Sequence, residues 1–176
     1  MKKILAFCLI WLSFAGFAKP QVILVAEHGF VIENTVTTEH SSDQLWRALI
    51  QNIDLWWPKD HSWWGKEGTF NIDPKAGGCF CEVAGNKSAE HMRISFVEPN
   101  KLLRMTGGLG PLQGMGMNGA LDWKFATQEG KTVVTLTYRV TGIHTESFQQ
   151  LAEIVAKVQG IQLGSLTSHV ESKSSE

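Results

Sequence analysis

Cysteine is too scarce in this chain to build a disulfide framework: there are three in 176 residues, and one of them, Cys8, lies in an apolar stretch at the N-terminus. Positive charge is scarce too. Sixteen Lys and Arg stand against 17 Asp and Glu with no basic cluster, which argues against nucleic acid as a partner. The motifs of several common chemistries are missing: no GxSxG elbow, no HExxH pair, and no glycine run placed to cradle phosphate between a strand and a helix. No cofactor is implied. No internal repeat, linker or low-complexity segment divides the chain, so a single domain is expected.

The N-terminus reads as a secretory signal. Lys2 and Lys3 supply its positive region, Ile4 to Phe17 an apolar run, and Gly16-Phe17-Ala18 a small-x-small cleavage site. The run is shorter than the roughly 20 residues a spanning helix needs. Phe7, not a small residue, precedes Cys8, which argues against a lipid anchor. The expected organisation is a signal peptide over residues 1–18 and one domain over 19–176, with a periplasmic or secreted location and no membrane span after cleavage. Without Lys2 and Lys3, 14 basic residues face 17 acidic ones, a net charge of −3. The remaining 158 residues (176 less 18) suffice to bury roughly 70% of the unfolded chain's surface.

Phe30, Ile32, Asn34 and Val36 alternate with Val31, Glu33 and Thr35, the pattern of a strand with one buried face. Ser41 and Gln44 have capping-box spacing. Leu45, Trp46, Leu49, Ile50 and Ile53 then recur at helical intervals until Pro58, predicting one helix or a short helical pair. From Thr69 the period returns to two. Phe70 with Ile72, then Met92 with Ile94 and Phe96, then Leu103 with Met105, mark successive strands. Leu121 with Trp123 and Phe125, then Val134 with Leu136, Tyr138 and Val140, complete them, and the short turns between predict an antiparallel meander. Ser147 and Gln150 open a long final helix whose expected apolar stripe is Phe148, Leu151, Ile154, Val155, Val158, Ile161, Leu166 and Val170. Gly160 and Gly164 break it at GxxxG spacing, which marks a bend or a thin spot against the sheet more than a dimer contact.

Tryptophan is abundant where it matters. Six of the seven follow the leader, and Trp56, Trp57, Trp63 and Trp64 crowd into nine residues. A large apolar ring with a polar N–H suits the mouth of a ligand pocket, although any one of the four could equally plug the core. Strand counting puts this segment, the Gly85 to Glu90 connection, the Gly107 to Gly119 connection and the start of the last helix at one end of the sheet. The Gly107 to Gly119 segment carries six glycines. Its apolar members Leu109, Pro111, Leu112, Met115 and Met117 read either as a bulged hairpin or as an adaptable lid. With Met105 and Trp123 on the adjoining strands, these residues and the four tryptophans are the candidate ligand contacts.

For acid–base chemistry the candidate is His61, flanked by Asp60 and Glu67; a hydrogen-bonded structural histidine is the alternative. Alternation places Cys79, Cys81, Met92 and Ile94 toward the core and turns Glu82 and His91 outward. The cysteines, spaced i, i+2, would lie about 6.6 Å apart along an extended strand, so free buried thiols are expected. Together with Met105, Met115 or Met117 they are also the candidate soft ligands for a copper ion.

The run Trp56-Trp57, His61, Gly68, Gly77-Gly78-Cys79-Phe80-Cys81-Glu82, His91-Met92-Arg93, Glu98-Pro99 and Gly107-Gly108-Leu109-Gly110-Pro111-Leu112-Gln113-Gly114 resembles a secreted bacterial branch of the START/Bet v-like (SRPBCC) superfamily. That branch is usually grouped with polyketide cyclases and activators of the heat-shock ATPase. The resemblance covers nearly all of the chain after the leader. It implies an α+β helix-grip fold, with a curved antiparallel sheet of about seven strands around a long C-terminal helix and one or two short helices after the first strand. It also implies a cavity for a small hydrophobic molecule. A secreted chain would not meet the cytosolic heat-shock ATPase. Two functions remain open: a carrier or sensor of a lipid or polyketide-like ligand, and a cyclase- or hydrolase-like enzyme using the same cavity.

Overall fold

The computed structural model describes residues 19–143 and 147–174; the expected leader and its cleavage site lie outside them. Eight antiparallel strands form one sheet in the order β1-β2-β8-β7-β6-β5-β4-β3. The strands are β1 (Lys19–Ala26), β2 (Gly29–Thr38), β3 (Thr69–Ile72), β4 (Cys79–Ala84), β5 (Lys87–Glu98), β6 (Leu102–Thr106), β7 (Asn118–Gln128) and β8 (Lys131–Thr141). Helices α1 (Ser42–Gln51) and α2 (Ile53–Trp56) follow β2, a single turn α3 (Pro111–Gly114) lies between β6 and β7, and α4 (Phe148–Ser174) closes the chain. This is the helix-grip arrangement. Among the described residues no helix is long and apolar enough to cross a membrane.

Period-two patterning places the core face of most strands. Phe30, Ile32, Asn34 and Val36 of β2, Leu121, Trp123 and Phe125 of β7, and Val134, Leu136, Tyr138 and Val140 of β8 are all buried. At the start of α1, the Ser41 hydroxyl accepts the Gln44 N–H (3.3 Å) and the Gln44 side chain accepts the Ser41 N–H (2.9 Å), the expected capping box. The strand absent from the sequence reading is β1. Its Val22-Ile23-Leu24-Val25 run does not alternate, because a bulge at Ile23 interrupts the pairing with β2 on this edge strand.

The expectation for β4 is reversed, and a second bulge alters β5. Phe80 pairs with Met92 but Cys81 pairs with Glu90, so His91 is the extra residue. On β4 it is Phe80, Glu82 and Ala84 that are buried, while Cys79 and Cys81 occupy the opposite face. Phe80 outweighs the smaller cysteines in the competition for the interior. On β5 the bulge turns His91 and Met92 inward together. A further shift at Ser95 then leaves Phe96 exposed, contrary to expectation.

Cys79 and Cys81 form a disulfide and are not free thiols. Their Cα atoms are 5.5 Å apart, closer than in an extended strand and within the range a disulfide spans, where β4 passes the bulge of β5. The grouping of soft metal ligands fails with it. The cysteines are bonded on one face, whereas Met105 and Met117 are buried elsewhere in the core, and no cluster of three His, Cys, Asp or Glu side chains able to hold a metal occurs among the described residues.

The stripe of α4 is also rotated from its expected position. Phe148, Ala152, Ala156, Gln159, Gln162, Leu163, Leu166, Thr167 and Val170 are buried, while Ile154 and Ile161 are exposed. Large side chains fill the C-terminal half of this buried face. Its N-terminal half packs Phe148, Ala152 and Ala156 inward. A cavity opens beside that half, against Leu151, Val155 and Val158.

Candidate functional site

The cavity has a volume of about 350 Å³, within the range of small-molecule sites. Three segments close around it: the chain from Trp57 to Trp63, the β6–β7 connection, and α4 from Leu151 to Gln162. Leu109, Leu112, Met115, Leu151, Val155 and Val158 give it mainly apolar walls, with His91 of β5 and Tyr138 of β8 contributed by the sheet.

The tryptophan segment is pinned at both ends. At its start Lys59 Nζ donates to Asp54 Oδ1 and to the Gly68 carbonyl, both at 2.7 Å, and Asp54 also accepts the Phe70 N–H at 2.8 Å. Burial raises the Asp54 pKa, but the bonds from Lys59 and Phe70 outweigh it and hold the carboxyl below its ordinary value. Further along, Glu82 is fully buried beneath the segment. Its carboxylate accepts the Ser62 hydroxyl (2.5 Å) and the backbone N–H groups of Trp63 (3.2 Å) and Trp64 (3.3 Å). His91 Nε2 meets its other side at 2.9 Å. Burial pushes Glu82 up. The donors, Ser62 foremost, bring it net below the usual carboxylate range.

His91 is only 4% exposed and packs against Phe70 and Phe80, with ring centroids 5.5 and 5.0 Å away. Burial lowers its pKa further than Glu82 raises it, so the ring is neutral at pH 7. An ionised Glu82 can only accept, which places the imidazole proton on Nε2 and leaves Nδ1 as a proton acceptor on a residue that lines the cavity.

Tyr138 fastens the third wall. Its hydroxyl donates to the Gly107 carbonyl (2.8 Å) and accepts the Leu109 N–H (2.9 Å), tying the root of the β6–β7 connection to the sheet. Burial pushes this phenol up to about 12, against the opposing effect of the Leu109 N–H, so it stays protonated.

Of the candidate contacts read from sequence, Trp57, Trp63, Leu109, Pro111, Leu112 and Met115 line the cavity, as does His61. Trp56, Trp64, Met105, Met117 and Trp123 do not. Trp56 is buried against Trp123 (6.2 Å between centroids) and donates its N–H to the Ala48 carbonyl, so both rings are packing residues. Met105 and Met117 lie in the core, and Trp64 stacks under Lys87 at 5.5 Å. His61 Nδ1 lies 3.4 Å from Gln162 Nε2, while Glu67 pairs with Lys87. The residues missed are Glu82, His91, Tyr138, Gln159 and Gln162. Phe80 carried the available signal: a phenylalanine inside forces Glu82 to the same face.

No family model matches the chain, and no curated protein matches it. Its structure is similar to many solved ones. CalU16 from Micromonospora echinospora superposes with a TM-score of 0.57 at 15% identity, covering 87% of this chain and 84% of that one. Protein SA2116 of unknown function from Staphylococcus aureus gives 0.59 at 14% identity, covering 84% and 98%. Ara h 8.0201 gives 0.53 at 14% identity, covering 81% and 97%. At such identities the likeness is one of fold: this chain has the START/Bet v-like helix-grip fold.

Proposed function

We propose that this protein is a carrier or sensor that holds a small, largely hydrophobic molecule beneath α4, in the periplasm or outside the cell. The observation that carries the proposal is the cavity of about 350 Å³, walled by apolar side chains from α4 and the β6–β7 connection. Burying apolar ligand surface there contributes about 25 cal/mol per Å², enough for affinity but with little discrimination between similar chains. The apolar leader with its cleavage site and the Cys79–Cys81 disulfide support an oxidising compartment. Membership of a secreted bacterial branch of the superfamily is part of the same proposal. Organic extraction of the exported, purified protein followed by mass spectrometry tests it. A stoichiometric apolar compound recovered unchanged is expected; an empty extract, together with no binding of an added hydrophobic fluorophore, would contradict it.

One observation favours a second reading, an enzyme of the cyclase or hydrolase kind. His91, neutral, oriented by Glu82 and lining the cavity, keeps an unprotonated Nδ1, which makes it a stronger candidate general base than His61. On this reading the extracted compound is consumed on incubation with fresh protein. His91→Gln would then abolish turnover while binding persists. A compound returned unchanged by the wild type removes the enzyme reading.

A further inference from the structure

Two side chains on the cavity wall are buried without the partners their polar atoms require. Gln159 is 1% exposed, and neither its Nε2 nor its Oε1 makes a hydrogen bond; Trp57 is 4% exposed, and its Nε1 makes none. Polar groups nearby are served by the fold: the Trp56 indole by Ala48, the Tyr138 hydroxyl by Gly107 and Leu109. Leaving a buried amide and an indole N–H unpaired is costly unless something else supplies the partners. Asn34 and Trp123 also carry unpaired buried atoms, but neither residue lines the cavity.

Given the proposal that the cavity is a ligand site, we infer that its ligand carries a neutral polar head bearing both a hydrogen-bond acceptor and a donor, a carboxamide or hydroxy-carbonyl group, held by Gln159 and Trp57. The inventory of atoms dictates the class. Trp57 Nε1 only donates and Gln159 Nε2 donates, so the head must accept; Gln159 Oε1 only accepts, so the head must also donate. A cationic head offers no acceptor to the two N–H groups. A carboxylate offers no donor and would be buried near the ionised Glu82 behind His91. The apolar remainder of the ligand lies along Leu109, Leu112, Leu151 and Val155.

The test is displacement of 1-aminoanthracene from the wild-type protein by decanamide, methyl decanoate and decanoate, repeated on Gln159→Leu. A purely apolar cavity favours the methyl ester, the least hydrated of the three heads. The inference expects the reverse, with decanamide binding about tenfold more tightly than the ester or the carboxylate, the discrimination that unpaired site groups impose. Gln159→Leu removes an unsatisfied amide without shrinking the apolar surface. It should keep the fold, judged by an unchanged or higher melting midpoint, and bring the ester level with or ahead of the amide. Methyl decanoate or decanoate binding the wild type as tightly as decanamide overturns the polar head group while leaving the carrier intact. Failure of the fluorophore and all three compounds to bind overturns the carrier reading and this one together.

Discussion

Glu82 and His91 meet at 2.9 Å in the interior, and of the two only His91 lines the cavity. The carboxylate has its other bonds on the tryptophan segment, so a single buried charge both orients the imidazole and holds one wall of the cavity in place.

That double role makes Glu82 sensitive to loss of charge. Glu82→Gln puts an amide donor among groups that already donate and should cost roughly 2–4 kcal/mol in urea unfolding, with a red shift in tryptophan emission. Gly68 provides a second probe, because a Cβ there would collide with the Glu82 carboxylate and the Ser62 hydroxyl. With ordinary backbone angles at Gly68 (φ −73°, ψ 132°), Gly68→Ala should destabilise through that collision alone. A Gly68→Ala protein as stable as the wild type would show that the carboxylate lies elsewhere.

Acid should loosen the same region. His91 is held below its ordinary value of 6.5 and Glu82 below 4.5, so in both cases the unfolded chain binds the proton more readily. The stability these groups contribute is complete above pH 6.5. It is lost first as His91 and then as Glu82 titrates on the way down. His169, lowered by burial and by Lys173, adds to the loss in the upper part of this range. Unfolding midpoints measured from pH 7.5 to 4 should fall monotonically, and His91→Gln should flatten the decline between pH 6.5 and 5.

The two glycines of α4 should separate under mutation. At Gly164 a Cβ meets nothing within 4 Å, so Gly164→Ala should stabilise the helix by about 0.5–1 kcal/mol. At Gly160 it would press on Oδ1 of the fully buried Asn34 of β2 at 3.1 Å. Gly160→Ala should gain less or lose stability, and equal melting midpoints for the two variants would refute the close approach.

Cys79 and Cys81 should resist alkylation in the unfolded, unreduced protein and react after reduction. The ring they close is so short that Cys79→Ser with Cys81→Ser should cost only roughly 1–2 kcal/mol. Labelling of both without reductant would contradict the bond.

Sequence reading reached the fold because strands such as β7 and β8 alternate without interruption and α1 carries its own capping box. It failed where the backbone departs from regular pairing. The bulges at Ile23, His91 and Ser95 each change which side chains point inward, and nothing in the apolar pattern marks an extra residue. The bulge at His91 turns that residue inward against the period of β5, whereas Glu82 sits on the regular strand β4 and faces inward because Phe80 does. On α4, Ile154 and Val158 suggest a stripe, but tertiary packing prefers the small Ala152 and Ala156 against the sheet and carries Gln159 into the interior with them. The cavity lies beside that face, and Leu151, Ile154, Val155 and Val158 of the expected stripe form its wall.

Filling the cavity is the most direct test that it is the binding site. Val158 lies half-buried on its wall, whereas Ile161, three residues further along α4, is exposed and outside it. Titration of 1-aminoanthracene into the wild type, Val158→Trp and Ile161→Trp should give one site in the wild type and the same affinity in Ile161→Trp. In Val158→Trp binding should weaken at least about tenfold, with no matching fall in melting midpoint, because the added indole occupies ligand volume at a surface-accessible position. Equal binding by all three proteins, or none by the wild type, would contradict a ligand site under α4.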